Sequence, residues 1–95
     1  MDVIIQPTQD EVISDVFTLA NRGVWLYSSQ FWPEEIAVLE RIGPSGNYEP
    51  ATNSKGEICV SHSPNTIYAD VPPGAYRVHK YRTRLAASVG YEGVA

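Results

Sequence analysis

From Tyr48 to Lys80 the chain is interrupted at short intervals by residues that reverse a backbone. The segments between the interruptions are too brief for ordinary helices. Lys55-Gly56 marks one turn and Pro72-Pro73-Gly74 a second. The segments 57–61, 65–71 and 75–81 are rich in Ile, Val and Tyr, side chains that suit a pleated, half-buried sheet. Strand–turn–strand punctuation of this kind confines the chain to an all-β architecture.

The rest of the chain extends the pattern. Residues 3–5 read as a short edge strand stopped by Pro7; 11–19 could form a short helix, but its β-branched and aromatic content favours a strand. Asn21-Arg22-Gly23 is a turn. Residues 23–28 follow as a strand with Val24 and Leu26 on one face and Trp25 and Tyr27 on the other. Residues 34–42 alternate well enough to be read as a strand entering a Gly-Pro-Ser-Gly hairpin loop, and 84–91 close the sequence as a strand. The expectation is a single domain over residues 1–95: a β-sandwich or small barrel of about eight short, mostly antiparallel strands.

Composition narrows the function. Hydrophobic residues make up 43%, a normal globular share. The formal net charge is −4, which disfavours a nucleic-acid binder. The acidic Met-Asp start and the lack of a long apolar run predict no export signal and no membrane span. The single cysteine, Cys59, cannot form an internal disulfide and reads as a small apolar strand residue.

Reaction chemistry is sparse. His62 reads as a solvated loop histidine and His79 as a strand residue among bases. Cys59, His62 and His79 contain no closely spaced metal-ligand pair. Glu34 and Glu35 are neighbours, which a strand would point to opposite faces. No phosphate-binding loop, dinucleotide turn or nucleophile elbow occurs. The expectation is a protein without catalytic residues, metal or cofactor.

Two features point to binding instead. Trp25, Tyr27, Phe31 and Trp32 form an aromatic group, with Phe31 and Trp32 set in a loop before Pro33. Charge is also segregated: residues 1–70 hold ten acids and three bases, and residues 71–95 hold one acid and four bases. Alternation places Lys80, Arg82 and Arg84 on one strand face, with Arg77 and His79 on the other. The residues expected to carry an interface are therefore Tyr27, Phe31, Trp32, Arg77, Lys80, Arg82 and Arg84.

The run Asn53-Ser54-Lys55-Gly56-Glu57-Ile58, followed by Val71-Pro72-Pro73-Gly74-Ala75-Tyr76-Arg77-Val78, resembles a turn pattern of transthyretin-like and collagen-adhesin B-type sandwiches. There a Gly-bearing polar turn opens one strand, and a Pro-Pro-Gly-x-Tyr turn opens a later one. The outline with its Pro-Gly-x-Tyr-Arg strand is also similar to small phage capsid decoration, or cement, proteins. That resemblance implies a non-enzymatic virion protein, made in the host cytoplasm and placed on the capsid surface. Its partners would be the major capsid protein or other virion proteins, and it would act as a homo-oligomer. A carbohydrate-binding or adhesin-type module, using the same aromatics to stack on sugars, is the alternative.

Overall fold

The computed structural model describes residues 2–62 and 66–94. Ten strands run in chain order: β1 (Asp2–Thr8), β2 (Val12–Ile13), β3 (Phe17–Leu19), β4 (Val24–Ser29), β5 (Ile36–Ile42), β6 (Tyr48–Pro50), β7 (Val60–His62), β8 (Thr66–Ala69), β9 (Gly74–Lys80) and β10 (Ala87–Gly93). No helix occurs among the described residues. One sheet has the order β1-β10-β4-β8. In the other, β2 and β3 share one side of β9, while β5 lies on its other side and carries both β6 and β7. Every pairing is antiparallel, and the two sheets face each other across one core. The all-β sandwich expected from the sequence is what forms.

Alternation decides which side chains enter that core. In β4, Val24 and Leu26 are fully buried while Trp25 points out. In β9, Tyr76, Val78 and Lys80 point inward, opposite Ala37, Leu39 and Arg41 of β5. From the other sheet Val89 and Ala87 meet them. Phe17 of β3 stacks on Tyr91 of β10 with ring centroids 4.1 Å apart, bridging the sheets. Burying a side chain such as Leu39 contributes about 1.5–3 kcal/mol.

Three departures from the expected strands have local causes. The 11–19 segment divides at Ser14, whose Oγ accepts from the Val78 amide at 2.9 Å and stands in for a backbone partner. Strand β1 continues through Pro7, because it lies at a sheet edge where a missing N–H costs no ladder bond. The last strand starts at Ala87 rather than at residue 84, since 81–86 form a loop. The expected strand 65–71 is β8; Asn65, with Ser63 and Pro64, lies outside the described residues, and so does the His62 side chain.

The Pro-Pro-Gly reversal behaves as its composition requires. Gly74 has φ of +149°, a region glycine adopts without strain. Tyr76 folds back over the turn, and its hydroxyl donates to the Pro72 carbonyl at 2.5 Å. At the other turn, Asn53 Oδ1 accepts from the amides of Lys55 and Glu57, at 2.9 and 3.0 Å, and Gly56 has φ of +80°.

Candidate binding surface

At one end of the sandwich the segment 30–35, which joins β4 to β5, meets the segment 81–86, which joins β9 to β10. Phe31 turns inward and is buried, whereas Trp32 is 44% exposed. Gln30 and Glu34 have φ of 67° and 77°, left-handed values that non-glycine residues adopt at a cost of about 1–3 kcal/mol. Glu35 holds the two segments together. Its Oε1 accepts from the Trp32 amide at 2.7 Å, and its Oε2 accepts from the Arg84 amide at 2.8 Å. The Arg84 guanidinium then lies over the Trp32 ring, 4.8 Å from its centroid.

The 81–86 segment is fastened along its length. The Tyr81 amide donates to the Ile36 carbonyl at 3.2 Å, and the Thr83 amide to Gln9 at 3.0 Å. Thr83 Oγ1 donates to the Leu85 carbonyl at 2.7 Å, and Gln9 Nε2 to the Arg84 carbonyl at 2.7 Å. Beneath them lies Lys80, with no exposed surface. Its ammonium donates to the carbonyls of Asp10 and Tyr81 at 2.8 and 3.2 Å. Burial pushes the Lys80 pKa below its ordinary value, while the nearby charges of Asp10 and Glu35 oppose that shift. Among the side chains left exposed are Trp32, Tyr81, Arg82, Arg84 and Leu85, with the acid Glu34 beside them in the chain.

This polar-framed patch continues onto the outer face of the β9 sheet. Tyr81 stacks on His79 with centroids 4.4 Å apart. Glu11 Oε2 accepts from His79 Nε2 at 2.6 Å, and Glu40 Oε2 lies 3.6 Å from Nδ1. Glu40 Oε1 accepts from Arg77 Nε at 2.7 Å, and the Arg77 guanidinium covers the Tyr48 ring at 3.7 Å. Ile13, Ile42 and Pro50 are exposed around this chain of paired charges. The two carboxylates contact opposite nitrogens of the imidazole, so they do not converge on one point. No group of three His, Cys, Asp or Glu residues among the described ones is arranged to hold a metal ion. The Cys59 thiol is buried, and desolvation raises its pKa.

The seven residues expected to form an interface therefore separate. Trp32, Arg82 and Arg84 gather at one end of the molecule. Arg77 lies on the outer face of the β9 sheet, and Tyr27 on the outer face of the opposite sheet. Two expectations are corrected. Phe31 is a core residue, since the positive φ at Gln30 turns the chain so that Phe31 and Trp32 diverge. Lys80 is also interior: it shares the inward face of β9 with Tyr76 and Val78, and β9 ends there, so Arg82 and Arg84 do not continue its face. Tyr81, Leu85 and Glu35 belong to the surface or its frame and were not anticipated.

Comparison of the chain with protein-family models, with curated proteins and with solved structures finds no match in any of the three.

Proposed function

We propose that this chain is a non-catalytic docking domain that binds protein surfaces in a repeating assembly, as small phage capsid decoration proteins do on the shell of the major capsid protein. The observation that carries this reading is the Trp32–Arg84 pair, an exposed ring and a guanidinium stacked together on a hydrogen-bonded frame. Trp, Tyr and Arg are the residues that dominate binding energy when an interface closes over them. Stacking occupies one face of the Arg84 guanidinium and leaves its edge N–H groups able to grip a carboxylate. Ordering of the loop before binding lowers the entropy cost of association. A decoration protein needs only such area, about 800 Å² per partner, repeated at many equivalent positions.

The test is co-sedimentation of the purified chain with intact phage capsids, alongside light scattering for its own mass. Wild type pellets with the particles, and Trp32→Ala and Arg84→Ala reduce the bound fraction about tenfold or more. Binding also weakens as salt is raised, because Arg82 and Arg84 are exposed charges. Capsids that leave the wild-type chain in the supernatant, or variants that bind as wild type does, overturn the reading.

A further inference from the structure

The outer face of the β1-β10-β4-β8 sheet carries different chemistry from the patch above. Trp25 of β4 and Tyr68 of β8 stand directly opposite one another in register, with ring centroids 5.1 Å apart and planes inclined by 55°. They are 40% and 46% exposed. Tyr27, two residues along the same face, is half-buried and paired with Gly90. Only one large aliphatic side chain, Val3, joins this face among the described residues, whereas the opposite sheet exposes Ile13 and Ile42 and part of Ile36. The positions around the rings are polar: Glu92 of β10 stands opposite Trp25, Thr66 opposite Tyr27, and Ser29 opposite Ser88.

From this geometry we infer a second binding site, for an uncharged glycan, at Trp25 and Tyr68. A pyranose ring has an apolar face of C–H bonds that packs on an aromatic plane, and a rim of hydroxyls that needs donors and acceptors beside it. The rim here provides both. Arg22 Nε donates to Asp70 Oδ1 at 2.7 Å at the end of β8, and both groups are partly exposed. Their charges neutralise each other, so the pair offers hydrogen bonds to hydroxyls without selecting an ion. Hydrogen bonds from Arg22 and Ser54 hold the Asp70 carboxyl below its ordinary pKa, which keeps it an acceptor. The hydroxyl end of Tyr68 lies against bare Gly23, where a β-carbon would overlap it. Two tilted rings with hydrogen-bonding groups beside them, Glu92, Thr66 and the Arg22–Asp70 pair, match the C–H face and the hydroxyl rim of a sugar.

The site is tested by titrating the whole chain with cellohexaose, laminarihexaose and chitohexaose, following tryptophan fluorescence and heat. At least one of the three binds and shifts the emission. Trp25→Ala weakens that binding about tenfold, the scale of one aromatic stacking contact. Tyr68→Phe retains the stacking and loses less, and Trp32→Ala leaves the affinity unchanged. Affinity also holds as salt is raised. Absence of binding by all three sugars overturns the site, as does a folded Trp25→Ala protein that binds with wild-type affinity. The capsid experiment is read through Trp32 and Arg84, so either site can fail while the other stands.

Discussion

Strand β9 closes the core at both of its ends with a long side chain tipped by a polar group, but the two closures differ. Near its start, the Tyr76 hydroxyl reaches Pro72, four residues back in the same turn. At its finish, the Lys80 ammonium reaches Asp10, seventy residues away, and its neighbour Tyr81. The phenol closes a local turn with a neutral hydrogen bond. The ammonium is a desolvated charge that ties distant segments together beneath the candidate docking patch. One end is scaffold, and the other couples the stability of the core to the shape of a surface.

That contrast can be broken at several strengths. The largest effect is expected for Lys80→Ala, which leaves a void and removes the donor from two part-buried hydrogen bonds. A loss of about 3 kcal/mol in denaturant unfolding is expected, together with reduced capsid binding. Lys80→Met keeps most of the volume and removes the buried charge, so its cost is smaller, about 1–2 kcal/mol, although binding through the 81–86 segment still declines. Tyr76→Phe should cost about 1 kcal/mol and leave capsid binding intact. If Tyr76→Phe impaired binding as much as Lys80→Met does, the distinction between the two ends would be lost.

Alkaline pH sharpens the same comparison. The folded state lowers the Lys80 pKa, so at low pH both states are protonated and the cost of burying the charge is fully present. As pH rises toward about 10.4, folded Lys80 gives up its proton first and stability is recovered. Tyr76 acts in the opposite direction, because burial raises its pKa. The unfolded phenol ionises from about pH 10 while the folded one stays neutral, and stability is lost. Denaturation midpoints measured from neutral pH to pH about 10.5 should fall more steeply in Lys80→Met than in wild type, and less steeply in Tyr76→Phe. Parallel curves for the two variants would refute the assignment. The smallest effect on stability is expected for Arg84→Ala, within about 0.5 kcal/mol, because the residue is exposed and its amide still bonds Glu35.

Tyr76 was legible in the sequence because its partner lies within the same Pro-Pro-Gly turn. So was the division of Val24 and Leu26 from Trp25 and Tyr27, since alternation is a local property. Lys80 was not legible. Alternation alone sets it beside Tyr76 and Val78, yet a lysine is assigned to the surface unless its acceptors are known, and these come from residue 10 and a loop carbonyl. Phe31 and Trp32 illustrate the same limit within one dipeptide, because the backbone at Gln30 decides which ring enters the core. The Trp32–Arg84 contact joins residues on two different loops, and no spacing rule relates them. Its framing by Glu35 depends on the sandwich being closed.

The pairing of β1 with β10 has a consequence for biosynthesis. In the finished sheet β10 lies between β1 and β4, so β1 has no ladder, and β4 only the one with β8, until residues 87–93 emerge from the ribosome. At translation speeds of roughly 5–20 residues per second, the first strand waits several seconds for its partner. During that wait Leu26 lacks the cross-strand neighbour that Tyr91 later supplies. The nascent chain therefore passes through an interval in which chaperone capture competes with folding, and slower codons placed before β10 would lengthen it.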